Sequence, residues 1–100
     1  MRIAIAADDP DENASISLRA GRAPYYLIFE DGQLAESIKN PFAVGGGGAG
    51  WSVAYMLAQK NIDLVIAGKI GGNFMTALTE KNIPYKEEYD KSAKEVVNAI

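Results

Sequence analysis

Two glycine-rich stretches carry the strongest chemical signal in this sequence. The first is the run Gly45 to Gly48, and the second is Gly68-Lys69-Ile70-Gly71-Gly72. Each stands shortly before a predicted helix, and the free N–H groups at a helix N-terminus favour anions. Glycine also lets a ligand approach the backbone closely, because it has no side chain. Together the two stretches predict an anion-binding site.

Positive charge accompanies these stretches. Arg19 and Arg22 lie in the long connection 8–23, and Lys69 lies within the second stretch. Cationic side chains beside free backbone N–H groups favour an anionic ligand. Glycines before helices also serve tight strand-to-helix turns where nothing binds, so the sequence leaves that structural alternative open.

The composition restricts the chemistry of such a site. The chain of 100 residues contains no Cys and no His, so the commonest ligands of zinc, copper and iron–sulfur centres are missing. We therefore predict no metal-ligating residue. Any metal would have to be held by carboxylates or backbone, or enter as part of a preformed anion. Without Cys or His, the chain also lacks most of the residues that form nucleophile–base pairs, and we predict no catalytic residues.

Charge and hydropathy narrow the possible partners and the location. The net charge of −3 argues against nucleic acid, since phosphate-backbone binding needs clustered Lys and Arg. No apolar run approaches the ~18 residues of a membrane span. The N-terminus runs straight into a strand-like segment without a signal-peptide pattern. These observations predict a cytoplasmic protein that binds neither nucleic acid nor membrane.

Hydrophobic patterns predict five strands and three helices in a single domain, 1–100. Asp31-Gly32 between two strand-like runs is a hairpin signal, and Ser92 with Glu95 forms a capping-box pattern. In the third strand we expect Leu34 and Ile38 on one face. The predicted strands are 2–7, 25–30, 33–39, 64–67 and 84–86, and the predicted helices are 49–60, 74–81 and the segment from 93.

Local patterns also indicate how the helices begin and end. Asn73 is expected to cap the second helix, and Asn61 stands where a left-handed residue ends the first. Trp51, on the first turn after the glycine run, is expected in the core. Ala93, Val96, Val97 and Ile100 predict the buried stripe of the last helix.

The order of elements limits the topology. Right-handed crossovers and hairpin adjacency favour a sheet of order 3-2-1-4-5 in which only strand 2 is antiparallel. This is an α/β fold of the ribonuclease-H-like arrangement. The connections 8–23, 40–50 and 68–73 then all meet at one edge of the sheet, outside the carboxyl ends of strands, where α/β proteins bind ligands. Both glycine-rich stretches and the three cations are therefore expected at one rim.

Other motifs are weak. Gly45, Gly47 and Gly50 satisfy G-x-G-x-x-G, but no strand precedes them directly and no acid follows at the required distance, which argues against a dinucleotide. Asp8 and Asp9 end the first strand, where a two-metal nuclease places a carboxylate. The loop after strand 4 supplies no further acid, so a solvated acidic loop is the better interpretation.

Several segments together resemble a known family. They are Gly21-Arg22-Ala23-Pro24-Tyr25-Tyr26, Asn40-Pro41, the glycine-rich 45–50, and the segment 66–73. In this order they resemble the dinitrogenase iron–molybdenum cofactor biosynthesis family over nearly the whole chain. The resemblance implies a ribonuclease-H-like fold without nuclease activity. It also implies a role in binding or carrying iron–molybdenum cofactor or related metal–sulfur clusters.

One position departs from the family pattern. Arg19 stands where the family often has a His that is a candidate cluster ligand. Ligation by that side chain is therefore lost, while Arg19 still supplies a permanent positive charge.

The sequence thus predicts a non-enzymatic binding or carrier protein for an anionic metal–sulfur cluster, with a cofactor-assembly protein as a further partner. The alternatives are an interaction or regulatory module with a vestigial cluster site, and an enzyme acting on a phosphorylated metabolite. The predicted cofactor-binding residues are Arg19, Arg22, Gly45, Gly46, Gly47, Gly48, Lys69, Gly71, Gly72 and Asn73.

Overall fold

A five-stranded mixed sheet with helices on both faces forms the framework. The computed structural model describes residues 1–45 and 47–100. In chain order the elements are β1 (Arg2–Ala7), β2 (Tyr25–Glu30), β3 (Gln33–Lys39), α1 (Ala49–Ala58), β4 (Leu64–Ala67), α2 (Gly72–Glu80), β5 (Tyr85–Glu87) and α3 (Ala93–Asn98). The predicted elements are confirmed, with ends that move by at most two residues, apart from the last helix, for which no end was predicted.

The strand order is β3-β2-β1-β4-β5, as predicted. β2 pairs antiparallel with β1 and β3, while β4 pairs parallel with β1 and β5. Asp31 and Gly32 both have positive φ, at 51° and 87°, which is the backbone of a tight two-residue hairpin. The ribonuclease-H-like classification itself stays a prediction.

Two hydrophobic clusters cover the two faces of the sheet. Because successive strand residues point to opposite faces, Ala4 and Ala6 of β1 join the cluster under α1 and α2. Ile3 and Ile5 join the cluster under α3. The small alanines on the first face leave room for two helices, which contact each other over it.

A bulge overturns one prediction about β3. The register passes from Ile28–Glu36 to Phe29–Leu34 and skips Ala35. The extra residue reverses the alternation of side chains. Leu34 therefore packs against the α3 cluster and Ile38 against the α1–α2 cluster, on opposite faces rather than on one face.

Three details of the helices also differ from the predictions. Trp51 is 42% exposed rather than in the core, because Val53, Ala54 and Leu57 form the buried side of α1. Gly71, not Asn73, is the N-cap of α2, so that helix begins two residues earlier than the Asn pattern suggests. Ile100 lies beyond α3 and is exposed, whereas Ala93, Val96 and Val97 are buried.

The other local predictions about helix ends are confirmed. Asn61 is left-handed with a φ of 58°, and Ser92 and Glu95 form a reciprocal capping box. Within the two described ranges, none of the helices is both long enough and apolar enough to cross a membrane.

Candidate functional site

A cavity of about 430 Å³ opens at the rim where the carboxyl ends of β1 and β4 meet the N-termini of α1 and α2. We call it the glycine pocket. It brings together three cations and three loops that are far apart in the sequence. Its lining residues are Arg19, Ala20, Gly21, Arg22, Gly47, Gly48, Ala49, Gly50, Lys69, Gly71, Gly72, Asn73 and Phe74.

Close contact between two helices forms the floor of the glycine pocket. Gly50 lies in the first turn of α1, against the first turn of α2. A Cβ added at Gly50 would lie 2.9 Å from the backbone nitrogen of Phe74 and 3.0 Å from its Cα. Real Cβ atoms do not approach backbone so closely, so only glycine permits this contact. The N-termini of α1 and α2 consequently lie side by side.

The long connection 8–23 is fixed against β1 and β4 in the same way. The N–H of Gly68 donates to the Ser17 carbonyl at 2.9 Å, and the N–H of Lys69 donates to the Leu18 carbonyl at 3.2 Å. A Cβ at Gly68 would lie 2.6 Å from that Ser17 oxygen. This contact sets Arg19 beside Lys69, and the two residues form an isolated parallel bridge.

A third close contact brings in the Arg22 segment. A Cβ at Gly21 would lie 3.2 Å from the Gly50 nitrogen. The hydroxyl of buried Tyr26 donates to the Ala20 carbonyl, which ties the same turn to β2. Burial raises the pKa of Tyr26 far above its ordinary value, so the hydroxyl stays protonated and keeps donating.

The glycines that face the cavity have no such packing role. A Cβ at Gly47, Gly71 or Gly72 would meet nothing within 4 Å, and none of the three has a positive φ. Neither crowding nor backbone strain in this chain therefore requires glycine at these positions. Gly48 differs, because its φ of 85° favours glycine on conformational grounds alone. At three positions, therefore, bare backbone faces open space although nothing in the fold requires glycine there.

Both helix N-termini at the pocket are uncapped by side chains. The N-caps are Gly48 for α1 and Gly71 for α2, and among the described residues neither end has a side-chain cap hydrogen bond. The first N–H groups of a helix have no acceptor within the helix. Together with the helix dipoles, these groups favour negative charge in the pocket.

The charge of the lining residues has the same sign. Arg19 and Lys69 are exposed, Arg22 is half-buried, and the residues that line the cavity include no carboxylate, thiol or hydroxyl. Over the two described ranges, no cluster of three or more His, Cys, Asp or Glu side chains is placed to hold a metal ion. The pocket offers hydrogen-bond donors and positive charge, an arrangement suited to binding and orienting an anion.

A carboxylate outside the lining holds the second glycine-rich loop in place. The N–H of Ile70 donates to Glu87 at 2.9 Å, and the Tyr89 hydroxyl donates to the same carboxylate at 3.0 Å. The Ile70 N–H, then Tyr89 and the charge of Lys69, hold the pKa of Glu87 below its ordinary value of 4.5. The loop 68–71 is therefore fastened to β5 by a charged acceptor.

The structure brings most of the predicted site residues together. Gly45 is not among the residues that line the glycine pocket, and Gly46 lies outside the described residues. The prediction from sequence missed Gly21 and Phe74 and gave Gly50 no packing role. Only the three-dimensional contact between loops distinguishes Gly21 and Gly50 from other glycines. The predicted residues that line the pocket are Arg19, Arg22, Gly47, Gly48, Lys69, Gly71, Gly72 and Asn73.

The sequence matches one protein family over its full length. The family model described as dinitrogenase iron–molybdenum cofactor matches residues 1–100. No curated protein matches the chain.

Solved structures with the same fold cover almost the whole chain. The apo form of the orange protein from Desulfovibrio gigas superposes with a TM-score of 0.90 at 24% identity, over 97% of this chain and 83% of that one. A candidate NifB protein from Thermotoga gives 0.83 at 26% identity, over 98% and 84%. A candidate dinitrogenase from Methanocaldococcus jannaschii gives 0.66 at 17% identity, over 97% and 84%.

Proposed function

This chain belongs to the dinitrogenase iron–molybdenum cofactor family, and we propose that it is a non-enzymatic binding or carrier protein for an anionic metal–sulfur cluster. The cargo is the iron–molybdenum cofactor or a cluster of related type. The observation that carries the proposal is the glycine pocket. Its Gly47, Gly71 and Gly72 present bare backbone that the fold itself does not require.

Backbone N–H groups suit this cargo. Sulfur atoms of metal–sulfur clusters accept hydrogen bonds, and such bonds tune the cluster. In the glycine pocket these donors come from the ends of α1 and α2, which Gly50 holds side by side. A cluster that arrives preassembled needs no protein thiolate or imidazole to be retained, which agrees with a chain lacking Cys and His.

The cations hold the cargo electrostatically. Arg19 and Lys69 form a bridge through their backbones, so both side chains start from adjacent points on the rim. Arg19 replaces the family's candidate His ligand with a group that is charged at every physiological pH. We assign Arg19 and Arg22 as hydrogen-bonding counter-ions and Lys69 as a point charge.

A carrier without catalytic groups has to exchange its cargo with another protein. Leu18, Trp51 and Met75 are 64%, 42% and 38% exposed, and each directly follows or precedes a residue that lines the glycine pocket. Apolar side chains exposed beside a binding site supply contact area for a partner protein. A cofactor-assembly protein is the partner that we propose for this surface.

The same exposed residues favour the second candidate function, an interaction or regulatory module whose cluster site is vestigial. The two functions differ in one property. A carrier binds a sulfido anion at the glycine pocket, whereas a module that only recruits a partner does not.

Amide-resolved NMR tests the proposal directly. The ¹⁵N-labelled protein is titrated with tetrathiomolybdate and, separately, with molybdate and phosphate. We expect saturable shifts at the amides of 47–50 and 71–73 with the sulfido anion. The oxyanions should bind more weakly, because they are smaller and more strongly hydrated.

Two matched variants separate local from global charge effects. Lys69→Gln removes a charge at the pocket and should lower the affinity for tetrathiomolybdate about tenfold, which is the scale of one charged hydrogen bond. Lys94→Gln removes the same charge on α3, where Lys94 pairs with Glu12, and should leave the affinity within about twofold. Equal effects of the two substitutions, or no shift at these amides, would overturn the proposal and favour the interaction module.

A further inference from the structure

A second cavity, of about 600 Å³, lies beside the glycine pocket and shares Arg19 and Arg22 with it. It opens between the start of β2, the end of β3 and the segment that follows β3. We call it the Pro41 cavity. Its volume falls within the range of small-molecule sites in proteins. The proposed carrier function uses the two shared arginines but none of the other residues that line this cavity.

The walls of the Pro41 cavity combine apolar surface with positive charge. Pro24, Tyr25, Pro41 and Val44 supply apolar surface. Arg19, Arg22 and Lys39 supply charge, and none of the residues that line the cavity is acidic. We propose that this cavity binds a small organic acid, a carboxylate carried on a flat hydrocarbon body such as an aromatic or cyclic ring.

The floor of the cavity is already fixed without a ligand. The buried Asn40 side chain donates to the carbonyls of Gly21 at 3.1 Å and Ala23 at 2.9 Å, and it accepts from the N–H of Phe42 at 2.9 Å. One side chain therefore joins the segment before β2 to the segment after β3. A wall that is preorganised in this way reduces the entropy lost on binding.

Lys39 gives the cavity its own cation. It is the last residue of β3, and it pairs in register with Tyr25 at the start of β2. Cross-strand partners place their side chains on the same face of the sheet. The Lys39 ammonium and the Tyr25 ring are thus available to the two ends of one ligand, carboxylate and ring. Lys39 does not line the glycine pocket, and Lys69 does not line the Pro41 cavity.

The two cavities select different ligands. The glycine pocket presents backbone donors from two helix ends, which suits a compact anion with acceptors on all sides. The Pro41 cavity presents rings and aliphatic carbon. A fully hydrated anion in this cavity would bury no apolar surface against them, so it would gain no hydrophobic stabilisation. The inference does not rest on the proposed carrier function, because its distinguishing residues, Lys39 and Val44, lie outside the glycine pocket.

A titration with 4-methylbenzoate tests the proposal, with neutral 4-methylbenzamide as the isosteric control. We expect the carboxylate to shift the amides of Tyr25, Ala43 and Val44 saturably and to bind at least about tenfold more tightly than the amide. Lys39→Gln should lower the affinity for the carboxylate at least about fivefold, whereas Lys69→Gln should change that affinity by less than about twofold.

Val44→Asp provides a second test that spares the fold. Val44 is 90% exposed, so an acid is tolerated there, but it places negative charge beside the ligand and should abolish binding. Equal affinity for the carboxylate and the amide would overturn the proposal, as would shifts confined to 47–50 and 71–73, or no saturation at ~10 mM. The probe used here differs from tetrathiomolybdate. Failure of this proposal can therefore be distinguished from failure of the carrier function.

Discussion

Two groups of glycines at the same rim do opposite things. Gly21, Gly50 and Gly68 are crowded, since an added Cβ at each would lie 3.2 Å or less from backbone of another segment. Gly47, Gly71 and Gly72 are open, with no atom inside 4 Å of an added Cβ. The crowded group draws the loops and helices together. The open group leaves backbone exposed to the space that the crowded group has created.

Glycines in one loop can therefore be present for different reasons, and their number alone does not predict a binding site. The crowded positions contribute to stability, and the chain itself explains them. The open positions raise the conformational entropy of the unfolded chain and gain no contact in return. The packing of this chain does not require glycine at the open positions, which supports the proposed ligand. Substitution to alanine at each group therefore separates folding from binding.

The largest effect is expected for Gly68→Ala. The new methyl would lie 2.6 Å from the Ser17 carbonyl oxygen and 2.7 Å from the Leu18 Cα, and both are backbone atoms that cannot rotate away. Overpacking of this kind costs about 3 kcal/mol. Urea unfolding followed by circular dichroism should show the corresponding fall in the free energy of unfolding.

Gly71→Ala is the control for that measurement. Its φ of −72° and ψ of 163° suit alanine, so its free energy of unfolding should stay unchanged or rise by up to about 1 kcal/mol. A loss for Gly71→Ala as large as that for Gly68→Ala would remove the distinction between crowded and open glycines.

A smaller effect, on binding rather than stability, is expected for the double variant Gly71→Ala/Gly72→Ala. Two methyl groups would project into open space at the N-terminus of α2 and keep a bulky anion from its N–H groups. We expect tetrathiomolybdate affinity to fall about tenfold, or about 1.4 kcal/mol, with stability retained. Isothermal titration calorimetry measures the first quantity and urea unfolding the second. Unchanged affinity would mean that the open glycines do not contact the anion.

The smallest effect concerns the loop that joins the two groups, from Gly68 to Gly71. The lowered pKa of Glu87 means that its ionised form is favoured by folding. That contribution to stability is complete above pH 4.5, the ordinary value, and is lost as the pH falls through the lower folded value. Glu87→Gln removes the charge, so the stability difference between the two proteins should be present at pH 7 and shrink below pH 4.5. Urea midpoints between pH 3 and 7 test this. A difference that is constant with pH would show that the charge of Glu87 does not fasten the loop.

Most of the fold follows from local patterns in the sequence. The Asp31-Gly32 turn, the apolar strands and the Ser92–Glu95 capping box are short-range signals, and each is present in the structure. The predictions were wrong where the conformation of a residue depends on contacts with another element. The bulge at Ala35 depends on pairing with β2, and the exposure of Trp51 depends on which side of α1 meets the sheet.

The location of the candidate site, but not its internal packing, could also be predicted from the sequence. Topology alone places Arg19, Lys69 and the glycine loops at one rim, because the carboxyl ends of β1 and β4 share an edge. Which glycines are crowded was not predictable, since that depends on distances between segments remote in the chain. The Pro41 cavity was missed for the same reason, because Lys39 becomes part of a site only through its register with Tyr25.

The open wall of the glycine pocket also limits how this protein can change over generations. Main-chain atoms are common to all residues, so no substitution at Gly47, Gly71 or Gly72 removes anything from the wall. Each one only adds atoms. Single mutations can therefore narrow or close this part of the pocket, whereas enlarging it requires a whole loop to move. Descendants of this sequence lose room at the site easily and regain it only by restoring glycine.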